Sequence, residues 1–206
     1  MGDRQRSQAS PTTDSTLTGA DWYGRTIEGE THSRVLFVDL DMTDVVNAGA
    51  VFTDCTFRAV RFNASRHTDA AFLNCTFTGC TLFDASFTDC KLLGSTFDRC
   101  TFDLMRVSGG NWSMTGLAGA DLRRATIAGA RLRDADLRRA KCRGASMCDV
   151  DLAGALLDGA DLSECDLRGS DLSGLEPGSV KLSGAIVTIE QALVIATALG
   201  LDVRAE

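Results

Sequence analysis

Between residues 50 and 187 a large apolar side chain returns at every fifth position without an insertion or deletion. Phe52, Phe57, Phe62, Phe72 and Phe77 begin this stretch, and Leu82, Phe87, Leu92, Phe97 and Phe102 continue it. Trp112, Leu117, Leu122, Ile127, Leu132 and Leu137 follow, then Leu152, Leu157, Leu162, Leu167 and Leu172. The departures are His67, Cys142 and Pro177. A second series, of small residues, lies two positions earlier: Cys55, Cys75, Cys80, Ala85, Cys90, Ser95 and Cys100. A helix repeats at about 3.6 residues and a strand at 2.0, so a period of five is neither, and a repeat architecture must account for it.

Charge tests the register independently. From residue 50 to 187 no Asp, Glu, Lys or Arg falls on either series. Burying an unpaired charge is costly enough to produce this exclusion. Two positions in five therefore point inward and three face water. Two inward residues separated by one outward residue is strand alternation, and two more outward residues before the next inward one imply a corner. Repeated sides and corners wind a coil around an apolar axis, each coil pairing with the next at about 4.8 Å. The small series keeps the interior narrow and the large series fills it. Phe77, Leu82, Phe87, Leu92, Phe97, Leu152 and Leu162 are expected core residues.

Units such as Ala120-Asp121-Leu122, Ala135-Asp136-Leu137 and Ala160-Asp161-Leu162 resemble those of the pentapeptide repeat family. The resemblance covers roughly residues 15–187. It implies an all-β solenoid, a right-handed quadrilateral β-helix with four fives to each coil. The register is weaker over 15–49, where Asn47 and His32 fall on large positions and Arg25 and Glu30 on small ones. Residues 1–14 lack the apolar core of a signal peptide and read as a disordered tail.

The period ends at residue 187, and 188–206 reads as a C-terminal helix and dimerisation segment. Thr188 with Gln191 fits a capping box, and Gly200 suits the stop. Ile189, Leu193, Ala196 and Leu199 form one apolar stripe, with Val194 and Ile195 off it. Apolar residues on two sides imply that one side covers the open end of the coil and the other meets a second copy. Ile189, Leu193, Val194, Ile195 and Leu199 are the candidates. The pattern leaves open which of them do which, although the off-stripe position of Ile195 points to the interface.

The formal net charge of −7 is opposite to the usual balance of a direct nucleic-acid binder. No apolar run is long enough to span a membrane, so a cytoplasmic location is expected. The charge is uneven: residues 104–145 hold 9 basic and 3 acidic groups, whereas 146–206 hold 3 and 11. The belt of Arg123, Arg124, Arg131, Arg133, Arg138, Arg139, Lys141 and Arg143 is either an ordinary solvated surface laced with salt bridges or a shaped potential for a charged partner. Asp149, Asp151, Asp158, Asp161, Glu164, Asp166 and Asp171 form a candidate acidic partner surface.

No phosphate loop, zinc-protease motif or nucleophile elbow is present. Seven of the eight cysteines lie on inward positions, interchangeably with Ala and Ser, and only Cys148 should point out. They read as packing, so neither a metal nor another cofactor nor a catalytic role is expected. Within the family, the unbroken register and C-terminal helix look like the MfpA and Qnr type of topoisomerase-interacting, fluoroquinolone-resistance proteins. That resemblance implies a homodimer joined at the C-terminal ends, imitating duplex DNA and binding DNA gyrase or topoisomerase IV. The effect would be to modulate the enzyme or shield it from quinolones or a natural-product poison. The alternative is a structural or scaffolding repeat protein with a different protein partner.

Overall fold

A computed structural model describes residues 11–204. The chain winds into a parallel β-solenoid in which each residue pairs with the one 20 positions on, from Ser15↔Val35 to Asp166↔Ile186. It is a right-handed quadrilateral β-helix closed by one short C-terminal helix. The four walls are numbered here in chain order. The first wall holds a five-stranded sheet: β1 (Ser15–Thr18), β4 (Val35–Val38), β7 (Thr56–Arg58), β10 (Thr76–Thr78) and β12 (Thr96–Asp98). The second is held by single bridges such as Asp41↔Arg61 and Lys141↔Asp161. The third is a seven-stranded sheet running from β2 (Thr26–Glu28) to β15 (Ser146–Cys148). The fourth is a three-stranded sheet, β3 (Thr31–Ser33), β6 (Val51–Thr53) and β9 (Ala71–Leu73).

The inward large residues stack in columns. Phe37, Phe57, Phe77 and Phe97 lie ring on ring at successive centroid separations of 4.9, 4.8 and 4.6 Å. Phe52 and Phe72 stack at 4.9 Å on the fourth wall. Trp112 closes this aromatic half, 2 % exposed and edge-on to Phe87 at 5.4 Å. Leucines then carry the axis, and Leu152 and Leu162 are buried. Each such side chain contributes about 1.5–3 kcal/mol by leaving water.

The corners impose a condition that the sequence period does not display. The residue two after an inward large one takes a left-handed conformation at nearly every corner, Arg124 and Gly174 being exceptions. Where it is not glycine, φ still lies at 51–58°, as at Asp54, Asn74, Leu104 and Met114. Asp and Asn tolerate this region better than other side chains, which explains their frequency at corners. Gly110 is a different case. A Cβ there would meet Cys90 O at 2.2 Å, so this small position admits nothing larger than glycine.

The first 35 residues of the coil are as regular as the rest, with Ser15–Thr18 in register on Val35–Val38. Arg25 and Glu30 are tolerated because no coil among the described residues lies beneath the first one. They pair at 2.6 Å, and the Arg25 guanidinium covers Trp22 at 4.6 Å. Of the expected N-terminal tail, residues 1–10 lie outside the described residues. Asp14 belongs to the coil: its N–H donates to Arg34 O at 2.7 Å, and its carboxylate pairs with the Arg34 guanidinium.

His67 and Asn47 replace apolar residues on the third wall and satisfy each other. The Ser65 hydroxyl donates to Phe62 O at 2.6 Å, so the His67 Nε2–H donates to Ser65 Oγ at 2.9 Å. Nδ1 then accepts from Asn47 Nδ2 at 3.1 Å, and Asn47 Oδ1 accepts from the Ala50 N–H at 3.1 Å. The ring stacks on Phe87 at 4.7 Å. Burial pushes its pKa down to about 3.

The helix, α1 (Ile189–Ala198), starts in a capping box formed by Thr188 and Gln191. It is turned by a polar contact. Gln191 Nε2 donates to both Leu167 O and Ser170 O at 2.7 Å, two carbonyls of the last coil. Ile195, one turn later, is half-buried against the core. Ile195 was expected at the interface and instead covers the open end, because Gln191 fixes which side faces the coil.

Two outcomes follow from this packing. Leu152→Asp, which buries an unpaired charge, is expected to abolish the cooperative melt. Asp151→Ala, one residue away on the outside, should shift stability by less than about 1 kcal/mol. Comparable melting temperatures would contradict the register. Because the folded pKa of His67 lies below an unfolded value of about 6.5, its contribution is complete above pH 6.5 and is lost as pH falls toward 3. Stability should fall by up to about 1.4 kcal/mol per pH unit in that window. In the Asn47→Val/His67→Phe double variant, urea titrations between pH 6.5 and 4.5 should give a nearly constant stability. A wild-type protein equally stable at both pH values would contradict it.

Candidate functional site

The outward positions carry the chemistry, and the coil dictates which of them meet. Residues on either side of an inward residue project to the same outer face. This brings Asp and Arg together in each Asp-Leu-Arg unit. Arg123 reaches Asp121 at 2.6 Å, Arg138 reaches Asp136 at 2.7 Å and Arg168 reaches Asp166 at 2.7 Å. The Arg168 guanidinium holds the Asp166 carboxyl down at about 2. Arg138 and Arg123 lower Asp136 and Asp121 in the same way.

Residues one coil apart pair as well. Arg124 meets Asp103 at 3.1 Å, Arg133 meets Asp151 at 3.2 Å, and Arg143 pairs with Glu164. The basic belt is therefore interleaved with carboxylates from its own unit and from adjacent coils. These contacts are exposed, and such pairs contribute little stability. Their effect is to flatten the alternation of charge read along the chain.

The seven acidic candidates do not converge on one face. Asp151 and Asp171 share the fourth wall, Asp161 lies on the second, Asp166 on the third and Asp158 on the first, while Asp149 and Glu164 sit at corners. Asp161 and Asp171 accept backbone N–H groups from Ser163 and Ser173 at 3.1 and 2.9 Å. Hydrogen bonding by those serines holds both carboxyls below the usual range. The result is an acidic collar around the end of the rod.

The apolar surface gathers at the same end. Ile189 is 79 % exposed and Leu199 58 %, and Leu193, Val194, Leu201 and Val203 are also exposed. They line the outer side of the helix and the strand-free segment after it. Leu201 and Val203 lie outside the helical stripe, and only their proximity to Gly200, where the chain turns, associates them with it.

The cysteines line the interior. Cys55, Cys75, Cys80 and Cys90 each point a thiol at a backbone carbonyl 23 residues earlier, for example Cys80 at Phe57 O, 3.4 Å. Burial pushes Cys90 up to about 11 and Cys165 up to about 12. Cys100 is half-buried beside a surface depression lined in part by Phe102, Arg123 and Arg124. The neighbouring Cys80 thiol and burial raise its pKa. Among the described residues no group of three or more His, Cys, Asp or Glu side chains is placed to hold a metal ion. No helix among them is long and apolar enough to cross a membrane.

A four-walled coil with its chemistry on an outer shell defines a repeat protein of the β-solenoid class. Residues 50–137 match the pentapeptide repeat region, and residues 135–174 match pentapeptide repeats in eight copies. The chain belongs to the pentapeptide repeat family. Among solved structures, full-length QnrB1, a plasmid-mediated fluoroquinolone resistance protein, superposes with a TM-score of 0.62 at 18 % identity. That match covers 92 % of this chain and 99 % of QnrB1. HetL from the cyanobacterium Nostoc, a pentapeptide repeat protein involved in heterocyst differentiation regulation, is 21 % identical over 85 % of each chain, with a TM-score of 0.43. Comparison with curated proteins finds no match.

Thiol reactivity checks the inward placement. In the native protein a disulfide reagent should modify Cys148 first and Cys100 more slowly, the other six responding only on unfolding. Denaturation without reductant should reveal eight thiols; a count of four would mean that the stacked pairs Cys55/Cys75 and Cys80/Cys100 are bonded.

Proposed function

We propose that this protein is a non-catalytic, cytoplasmic rod that acts by docking on another protein, and that its target is the DNA-binding surface of a type II topoisomerase, gyrase or topoisomerase IV. Two copies join through the outer sides of their C-terminal helices. The acidic collars then lie together at the centre of a double-length rod, in the position where duplex DNA would present its phosphates. The resemblance in fold to a fluoroquinolone resistance protein supports this choice of target.

The observation that carries the reading is the coincidence of two features at one end. Exposed apolar side chains, Ile189, Leu193, Val194 and Leu199, adjoin the segment where acidic groups outnumber basic ones by 11 to 3. An apolar patch marks an association surface, and the collar supplies charge complementary to a basic saddle. A scaffolding role with a different protein partner is favoured by the interleaving of Asp and Arg, which leaves no single wall strongly acidic.

Leu193→Asp is the informative variant, since Leu193 is exposed whereas Ile195 packs on the core. It should keep the wild-type circular dichroism spectrum and melt, and light scattering should report half the wild-type mass. If gyrase meets the centre of the dimer, this folded monomer should lose most of its effect on DNA supercoiling, measured with and without a quinolone. A folded Leu193→Asp monomer as potent as wild type would refute the dimeric imitation of DNA. Wild-type protein without effect on either topoisomerase at low salt would transfer the assignment to the scaffolding role.

A further inference from the structure

The first wall is interrupted once, and the interruption leaves a groove. Its bridges run from Thr96 to Gly116, Asp136 and Leu156, and end there. Pro177 occupies the next inward position, where its ring fixes φ and restricts the backbone of Glu176 before it. The Ser179 N–H turns back to Glu176 O at 2.9 Å. Corner residues Gly119 and Arg139 donate to the carbonyls of Arg138 and Asp158, 19 positions on, whereas Gly159 donates to Ser179, 20 positions on. The coil bulges by one residue at this point. Thr115 O and Ala135 O accept from the N–H groups of Asp136 and Leu156, but the equivalent donor to Ala155 O, the Glu176 N–H, is displaced.

The groove has a volume of about 230 Å³ and lies between residues 154–158 and 174–179. Ala155 and Leu157 form its floor, and Leu156 is 46 % exposed beside them. Its rim carries Asp158 and Glu176. Asp151, Asp161, Glu164 and Asp166 each have a cation beside them. Among the described residues no such pair engages Asp158 or Glu176.

We propose that this groove receives an arginine side chain from a basic protein partner. The inference rests on the docking role above and names the chemistry by which one part of the collar recognises its target. An arginine stem is apolar and lies on Leu156 and Leu157. Its guanidinium carries five donors in a planar fork, enough to bridge two carboxylates and still meet the freed Ala155 carbonyl. A lysine ammonium is a compact, strongly hydrated point charge and fits this spread of acceptors poorly. The one-residue bulge at 176–179 thus opens the pocket.

The test uses the full chain and the blocked peptide acetyl-Gly-Arg-Gly-amide, followed by amide chemical shifts. Saturable shifts are expected at residues 154–158 and 174–179, with the lysine peptide binding more weakly. Asp158→Asn/Glu176→Gln should weaken the arginine peptide about tenfold, the loss expected for charge-assisted hydrogen bonds. Leu156→Ser, which removes exposed apolar surface beside the groove, should weaken it as well. Shifts spread evenly over Asp149 and Asp171, or unchanged binding in both variants, would overturn the proposal. Supercoiling assays separate it from the choice of target. If the wild type acts on gyrase and Asp158→Asn/Glu176→Gln acts equally, the groove proposal is overturned while the topoisomerase reading stands. If the wild type leaves gyrase untouched but the peptide still binds at 154–158, the groove proposal stands and the partner is a different basic protein.

Discussion

Each coil is held to the next by backbone hydrogen bonds whose partners lie about twenty residues apart, such as the Trp22 N–H to Asp41 O at 2.8 Å and the Leu162 N–H to Lys181 O at 2.9 Å. The other features of the molecule follow from this ladder. It fixes the coils at strand spacing, so identical inward positions stack and the phenylalanines lie ring on ring. It also fixes the width of the interior, which makes one inward residue of each five small. Trp112 keeps its indole Nε1 buried without a partner, whereas the polar residues that replace apolar ones on the third wall come with partners. His67, Ser65 and Asn47 form a connected set in which both ring nitrogens and the hydroxyl are hydrogen-bonded.

The same ladder arranges the surface. Outward side chains recur in vertical columns, so Asp-Leu-Arg units and coil-to-coil pairs place opposite charges side by side. A block of basic residues in the sequence becomes a belt threaded with carboxylates. Features that can recognise a partner therefore appear where the ladder ends or breaks. At the C-terminal end α1 satisfies two carbonyls through Gln191 and turns apolar side chains outward. At Pro177 the wall opens beside Asp158 and Glu176. Both lie in the acidic part of the chain.

Much of this was legible in the sequence, because the exclusion of charge from two positions in five reports directly on burial. That pattern placed Leu82, Leu92, Leu152 and Leu162 on the axis and Cys148 on the outside. The left-handed corners were not legible: Leu104 and Met114 occupy them at φ 58° and 57°, and the stacked wall enforces a conformation that neither side chain prefers. The orientation of the helix was misread at Ile195, since an apolar stripe suggested that hydrophobic contact would decide it. A glutamine decided it, by donating to carbonyls that only the folded coil exposes. Pro177 was visible as a departure from the period, but the groove beside it depends on a one-residue bulge that spacing alone cannot show.

The central claim is that a twenty-residue coil is the unit of both structure and stability. It is tested most directly by comparing two deletions in chemical denaturation. Removing residues 131–150 takes out one coil and leaves every later residue on its own wall. That chain should keep the β-sheet circular dichroism spectrum and unfold in one transition, with a denaturant slope reduced in proportion to the surface removed. Removing only residues 131–135 shifts every later residue to the neighbouring wall, so the stacks below and above no longer match, and stability should fall far more despite the smaller loss. If the five-residue deletion is the more stable of the two, the coil is not the unit and the account is wrong.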